Sequence, residues 1–493
     1  MNMGKVYLIG AGPGDEELIT LKAVRVLKKC TAVMYDRLIG CNILRHLNED
    51  CQIYYCGKEP GCHYKTQHEI NDMLVKLSKE GHTVGRIKGG DPYVFGRGGE
   101  EALRLRSEGI EFEVIPGITS AISVLCYAGI PITQRGIARS FHVFAGKSTG
   151  ALDINWESAV NINGTLVFLM GLENMEEIIG NLTSKGMDKS TPCAVIMRGT
   201  MSKQRKVTGT LWDISSKARD AGFKSPCIIV VGEVVKFSSE LNWYEKMPLF
   251  GLNICVTRSK EQAGPLCEKL LELGAQVTQI NSIKIEDTSF NLDEYEKVLC
   301  NYDYIVFNSV NSVNIFFDYV KKKGIDIRSI KANLAAIGPA TQKSIRDRGL
   351  FASITAGEFV SEDLFDKLKA VVKTSDNILI PCSLDSRAYT SENLGKMGCN
   401  VDEVHIYKPL QGDMVNASYF NDVDVVLFTS PSTVKNMIKM AGIEGIKSKK
   451  CIAIGPITGM ELQDKGISCF VCDEYTTVGI VEKLIQLKAN GKL

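Results

Sequence analysis

The feature that most narrows the folds open to this chain is the stretch Gly10-Ala11-Gly12-Pro13-Gly14-Asp15, which closes the apolar run Lys5-Val6-Tyr7-Leu8-Ile9. A strand that ends in a glycine loop is the opening of an α/β layer. Dinucleotide loops carry glycine at the first, third and sixth positions, so that the backbone turns tightly and a helix N-terminus approaches a pyrophosphate. Here the sixth position is Asp15, whose charge repels a phosphate. The loop suits a ligand carrying an amine or sulfonium better than a dinucleotide.

Short apolar strands alternate with helical periods almost throughout, which predicts α/β layers with largely parallel sheets. Strands are expected near 5–9, 32–35, 52–55, 83–87 and 112–115, with a helix near 16–29. After Pro116-Gly117 a second subdomain follows, with strands in 141–144, 165–169, 194–197 and 227–231. Between Glu240 and Phe250 the periodicity lapses, and a new strand starts at Leu252, so a domain boundary is expected there, separating 1–245 from 250–493. Beyond it Ile305-Val306-Phe307-Asn308-Ser309 recurs as Val426-Leu427-Phe428-Thr429-Ser430, and Ala336-Ile337-Gly338-Pro339-Ala340-Thr341 as Ala453-Ile454-Gly455-Pro456-Ile457-Thr458. A spacing of about 120 residues is too long for a solenoid and predicts two similar α/β lobes.

At 493 residues the chain exceeds one hydrophobic core, and roughly three or four compact units are expected. Lys plus Arg number 58 against 57 Asp plus Glu, so overall charge gives no ground for nucleic-acid or membrane binding, and an acidic ligand needs a local basic cluster. The first residues run into a strand without a signal-peptide pattern, and no apolar run reaches about 18 residues, so a cytoplasmic location is expected. Sixteen cysteines in that compartment are reduced thiols that pack as small hydrophobes. Cys469-Phe470-Val471-Cys472 sits in an apolar run, and Cys51, Cys56, Cys62 and His63 match no zinc or iron–sulfur spacing, so no metal site is expected.

Tyr35-Asp36-Arg37-Leu38, Gly89-Gly90-Asp91-Pro92 and Pro116-Gly117-Ile118-Thr119-Ser120 also fall at carboxyl ends of expected strands, where open α/β sheets place their ligand crevice. Taken singly, they read equally as turns and helix starts. Together with VYLIGAGPGD (6–15), RIKGGDPYVFGRGGEE (86–101), VIPGITSA (114–121) and GIPIT (129–133), they make residues 5–235 closely resemble uroporphyrinogen-III C-methyltransferase of the tetrapyrrole methylase family. The resemblance implies two α/β subdomains with S-adenosylmethionine between them, a homodimer formed through this half, and cofactor contacts at Pro13, Gly89, Gly90, Asp91, Val94, Thr119, Ser120, Met170 and Gly199. Glycines admit close backbone approach, and Asp91 can pair with the cofactor's positive charge. Met170 reads equally as core, and its contact rests on the resemblance alone.

The implied reaction carries an electrophilic methyl group to a pyrrole carbon, which becomes more nucleophilic as the pyrrole N–H proton departs. Asp36 resembles the family's proposed base and Lys58 its proposed acid, with a turn cap and a solvated surface charge as their plain alternatives. The resemblance implies a polycarboxylate tetrapyrrole substrate, for which Arg37 and Arg97 are candidate anchors, with Lys58, Lys88, Arg135 and Arg139 nearby in sequence and an ordinary solvated charge as the alternative for each. One departure stands out: relatives commonly carry Thr-Gly-His where this chain has Ala145-Gly146-Lys147.

The C-terminal half resembles uroporphyrinogen-III synthase through Val256-Thr257-Arg258, the repeated segments and Val404-His405-Ile406-Tyr407. The resemblance implies a two-lobed α/β fold that closes hydroxymethylbilane with inversion of one ring and needs no cofactor. Tyr407 resembles the tyrosine suspected of assisting loss of the terminal hydroxyl; the alternative is a packed aromatic. Arg258 and Arg387 are expected carboxylate anchors, and Ser309, Thr341, Thr429, Ser430 and Thr458 are expected at helix starts, where hydroxyls and free amides bind carboxylates or simply cap the helix. Uroporphyrinogen III made by one half would be methylated to precorrin-2 by the other. Rival readings are a methyltransferase for a later precorrin, a noncatalytic tetrapyrrole-binding C-terminal half, and a nicotinamide-dependent dehydrogenase, against which Pro13 and Asp15 speak.

Overall fold

The computed structural model describes residues 3–36, 39–48, 50–57, 66–147, 152–258, 260–357, 361–411 and 418–493. Grouped by packing, the chain forms two compact units, Met1–Ile280 with Val415–Leu493, and Asn281–Met414. Among the described residues no helix is long and apolar enough to cross a membrane.

The first sheet of the larger unit joins β1 (Val6–Gly10), β2 (Ala32–Tyr35), β3 (Gln52–Tyr55), β4 (Val84–Lys88) and β5 (Phe112–Ile115) in the order β3-β2-β4-β1-β5. Every pair is parallel, so the loops after β1, β2, β4 and β5 emerge at one edge. The helix expected near 16–29 is instead a 3-10 turn, Glu16–Leu18, followed by α1 (Leu21–Leu27). Asp15 and Thr20 each accept a bond from a following backbone amide, and two N-caps this close end one helix before starting the next. α2 (Gln67–Lys79) begins in a capping box made by Thr66 and Glu69. With α3 (Gly98–Ser107) it covers the face bearing Val6, Leu8, Met34 and Val84, while α1 lies on the side of Ile9, Val33, Ile87 and Ile115.

The second sheet contains β6 (Phe141–Ala145), β7 (Thr165–Leu169), β8 (Pro192–Met197), β9 (Arg205–Thr210) and β10 (Cys227–Val231), ordered β6-β7-β10-β8-β9. Only β6 and β7 are parallel; the other three pairings are antiparallel, which corrects the expectation of largely parallel pairing here. β9 has no apolar run to announce it. As an edge strand it need bury only part of its surface, so polar residues serve. The helix α4 (Ser120–Tyr127) packs Val124 and Leu125 against Val167, Ile196 and Val230 of this sheet.

The remaining strands are β11 (Asn253–Val256), β12 (Gln276–Gln279), β13 (Ile283–Asp287), β14 (Tyr304–Phe307), β15 (Asn333–Ala336), β16 (Ala352–Thr355), β17 (Asn377–Ser383), β18 (Asn400–Gln411), β19 (Val425–Phe428), β20 (Lys450–Ala453) and β21 (Cys469–Val471). They form a parallel sheet β12-β11-β19-β20-β21 in the larger unit and a sheet β13-β18-β17-β14-β15-β16 in the smaller, parallel apart from β13 with β18. The chain thus leaves one lobe after β12 and returns to it at β19. The sequence repeat is a structural one. Ser309 after β14 and Ser430 after β19 both cap a helix with extended backbone, at φ −165 and −162°, and Gly338 and Gly455 stand at the corresponding starts after β15 and β20.

Within the larger unit the edge strand β12 rests on the N-terminal half. Asn42 Nδ2 donates to Val277 O at 2.5 Å, Ser202 Oγ to Gln276 Oε1 at 2.9 Å, and Lys203 pairs with Asp424 at 2.6 Å. The bond from Asn42 occupies a backbone carbonyl on an edge that would otherwise be open there.

Candidate functional site

The loops after β1 and β4 are stitched to each other by backbone, and the loop after β5 lies close against both. Gly90 N donates to Gly12 O at 2.7 Å, and Gly12 N returns a bond to Gly90 O at 3.2 Å. A Cβ on Gly117 would stand 2.2 Å from Gly90 O, so only glycine lets these loops touch. Gly90 itself is left-handed, φ 67°, and a Cβ there would point into open space, its nearest atoms 3.9 Å away at Thr119 and the Ser120 amide. That space, bounded by the start of α4, leaves room for a small ligand.

Asp91 accepts from Tyr93 N at 2.8 Å and Gly117 N at 3.0 Å, one bond per carboxylate oxygen. It therefore pins the turn, and keeps a second lone pair on each oxygen for a cation. Asp15 also accepts one bond per oxygen, from Tyr127 Oη at 2.7 Å and from Glu17 N at 2.9 Å. Burial, then the charge of Asp15, push the Tyr127 phenol upward. Asp15 thus ties the first loop to α4.

Asp36, at the end of β2, meets a group the sequence did not point to. Arg86 Nη2 donates to both its oxygens, at 3.0 and 2.8 Å. Behind it Glu101, fully buried on α3, accepts with one oxygen from Arg86 Nε at 3.1 Å, Lys88 Nζ at 2.9 Å and Gln67 Nε2 at 3.2 Å. Arg86 and Lys88 follow Val84 on the helix-covered face of β4, so the apolar layer ends in a charged one. Burial, then the neighbouring Arg86, lower the Lys88 ammonium. Lys88, expected as an open cation for substrate, is 3% exposed and committed to Glu101. Arg37 and Lys58 lie outside the described residues, as do Cys62 and His63.

Backbone strain clusters here. Phe95, Arg97, Met170, Arg198 and Thr200 have φ between 48 and 68°, at a cost of about 1–3 kcal/mol each. They lie in the loops after β4, β7 and β8. Met170 is half exposed, which removes the core alternative for it. Gly199 sits between two of the strained residues, and a Cβ on it would meet Val124 Cγ1 at 2.3 Å, so its role is to let α4 approach. Thr200 Oγ1 accepts from Asp15 N at 3.2 Å, joining this loop to the first. Arg97 pairs on the surface with Glu100 at 2.7 Å, and Lys147 with Glu173 at 3.0 Å.

The residues singled out in the C-terminal half separate by burial. Arg258 follows β11 with its guanidinium lowered by burial alone, which suits an anion anchor. Arg387 is exposed between β17 and the helix Tyr389–Lys396. Thr341 and Thr458 are each 3% exposed, packed into the first turns of the helices after β15 and β20. Ser430 accepts from Thr433 N as a cap, with Thr429 half-buried before it. Ser309 likewise accepts from Ser312 N, but it also meets Tyr407 Oη at 2.9 Å. Burial raises the Tyr407 phenol, and Ser309 pulls it back. Strict alternation along β18 would place His405 and Tyr407 on one face. A register shift between Cys382 and Ser383 instead packs Tyr407 with Val404 and Ile406.

The model for Tetrapyrrole (Corrin/Porphyrin) Methylases matches residues 5–215, and that for Uroporphyrinogen-III synthase HemD matches residues 265–482. The chain is 34% identical to the porphyrin biosynthesis protein HemD of Ruminiclostridium josui, over 99% of both chains. It is 47% identical to a uroporphyrinogen-III C-methyltransferase of Priestia megaterium, over 48% of this chain and all of that one. Among solved structures, a Thermus thermophilus uroporphyrin-III C-methyltransferase with S-adenosylhomocysteine is 36% identical over 47% of this chain and 94% of that one, with a TM-score of 0.41.

Proposed function

We propose that this chain, which belongs to the tetrapyrrole methylases in its N-terminal half and to the uroporphyrinogen-III synthases in its C-terminal half, closes hydroxymethylbilane to uroporphyrinogen III and methylates that product twice to precorrin-2, on the way to sirohaem or cobalamin. It is an S-adenosylmethionine-dependent C-methyltransferase and a uroporphyrinogen-III synthase. The observation that carries the methyltransferase assignment to particular residues is Asp36, gripped by a buried arginine at the strand edge where the glycine loops converge.

S-adenosylmethionine supplies an electrophilic methyl group. The cradle of Gly89, Gly90, Val94, Thr119 and Ser120 fits it by the open space beside Gly90, with Pro13, Asp91, Met170 and Gly199 on the adjoining loops. Asp36 accepts the pyrrole N–H proton as the ring carbon attacks, a step worth about 10²–10⁴-fold. Arg86 fixes the carboxylate's plane, and Glu101 fixes Arg86. Lys58 acts as the acid, while Arg37 and Arg97 hold substrate carboxylates. In the synthase half Tyr407, hydrogen-bonded to Ser309, donates to the departing hydroxyl. Arg258, Arg387, Thr429 and Ser430 anchor the bilane.

The two activities divide at 245–250, and the methyltransferase half forms a homodimer. The test is incubation of the full chain, of 1–245 and of 250–493 with hydroxymethylbilane, with and without S-adenosylmethionine, followed by isomer-resolved mass analysis. Type III product from 250–493, and product two methyl groups heavier from the full chain only with S-adenosylmethionine, are expected. Methylation of a later precorrin but not of uroporphyrinogen III would overturn the substrate assignment. Absence of bilane turnover by 250–493 and by the full chain would leave the C-terminal half a binding module. Sedimentation of 1–245 as a monomer would remove the dimer.

A further inference from the structure

In the smaller unit β17 and β18 bring three metal-ligating side chains to one face. Cys382 is the register partner of His405, and Glu403 precedes His405 by two residues and so shares its face. The thiol, a carboxylate oxygen and a ring nitrogen all lie within 4.8 Å of one another, with His405 Nε2 3.3 Å from Glu403 Oε1. Tetrahedral coordination by sulfur, nitrogen and oxygen needs ligand atoms about 3.4–3.6 Å apart, which side-chain rotation of one ångström or so provides. Cys382 is buried, whereas the His405 side chain is 39% exposed, so an ion has a path from solvent. Ser391 Oγ bonds the other oxygen of Glu403 and orients it, an outer contact of the kind that holds a metal-ligating carboxylate.

We propose that Cys382, Glu403 and His405 bind one zinc ion, with the fourth position open to water. A mixed thiolate, imidazole and carboxylate set suits Zn²⁺ over the hard cations, which prefer oxygen alone. On binding, the Sγ–H bond breaks, the proton leaves to buffer, and sulfur joins the metal as thiolate. The ion ties β17 to β18 immediately before the register shift that turns Tyr407 toward Ser309, so its occupancy bears on that residue's placement. No step of the proposed methyl transfer or ring closure uses these three side chains.

The full chain is dialysed against Zn²⁺ and then against metal-free buffer, and is separately loaded with Co²⁺ as a spectroscopic probe. Retention of one zinc per chain is expected, together with a thiolate-to-cobalt charge-transfer band. Both are lost in Cys382→Ala and in His405→Gln. His405 is exposed enough that His405→Gln tests the site even if Cys382→Ala does not fold. Failure of the parent chain to retain zinc overturns the site and leaves a hydrogen-bonded cluster. So does His405→Gln that keeps the parent's zinc and band, since the metal would then sit on other cysteines.

Discussion

Arg86 Nη2 bonds both oxygens of Asp36, at 3.0 and 2.8 Å, from a guanidinium only 2% exposed. One nitrogen bridging a carboxylate fixes its orientation while leaving lone pairs for a ligand proton. The arginine is desolvated while the Asp36 side chain is 30% exposed, so the guanidinium has no water to turn to and the carboxylate keeps a solvent-facing side.

Asp36→Asn keeps the shape of the side chain and removes its capacity to take a proton. Methyl transfer should fall by about 10²-fold or more while S-adenosylmethionine still binds. Unchanged single-turnover rates would reduce Asp36 to a partner of Arg86.

Glu101 accepts from two buried cations, so Glu101→Ala leaves Lys88 without its carboxylate and Arg86 with Asp36 alone. A loss of about 3–5 kcal/mol is expected, the cost of breaking a buried ion pair from one side. Urea unfolding followed by the near-ultraviolet signal measures it. Glu101→Gln, which still accepts hydrogen bonds, should be less destabilising, yet should slow methyl transfer by loosening Arg86. A Glu101→Ala chain as stable as the parent would show the network to be dispensable.

Asp91 combines a turn with a charge, and two variants separate them. Asp91→Asn retains one acceptor for Tyr93 N or Gly117 N but loses the charge; Asp91→Ala loses both. Calorimetric titration should show S-adenosylmethionine binding weakened by about 1.5–3 kcal/mol in each, or roughly 10–150-fold. Weakening in the alanine variant alone would assign Asp91 to the turn.

Glu16 is buried below the first loop with Arg45 as its ionic partner at 3.3 Å. Burial raises its carboxyl above the ordinary range, and Arg45 offsets part of that. The folded chain therefore binds this proton more tightly than the unfolded chain. The resulting stabilisation is complete below the ordinary carboxyl range and is lost as pH rises through the raised folded value. Glu16→Gln, which never ionises, should match the parent at low pH and exceed it at neutral pH in denaturant titrations. A neutral-pH loss of stability would mean that the pair with Arg45 outweighs burial.

Tyr407→Phe removes the hydroxyl that meets Ser309 and leaves the ring in its apolar cluster. Formation of the type III isomer should slow, with methyl transfer unaffected. Because free bilane closes without inversion to the type I isomer, the assay must resolve the two. Parent rates of type III formation would leave Tyr407 a packed aromatic, and catalysis would then rest on anchoring and orientation of the bilane.

The sequence by itself determined the strands and the loops that end them, because apolar runs of four to six residues and glycine–proline punctuation are local signals. Asp36, the Gly89-Gly90-Asp91 turn, the Thr119-Ser120 helix start and the duplicated Ser309 and Ser430 caps were legible on those grounds. Tertiary structure decided what each of them touches. Arg86, Lys88 and Glu101 look like ordinary charges along the chain, and only the packing of α3 on β4 makes them one buried network. β9 is polar because a sheet edge demands little burial, and Thr341 and Thr458 are withdrawn because a helix's first turn faces the core. Tyr407 parts from His405 through a single register shift against β17. Each of these depends on a partner distant in sequence, and side-chain periodicity carries no information about such partners.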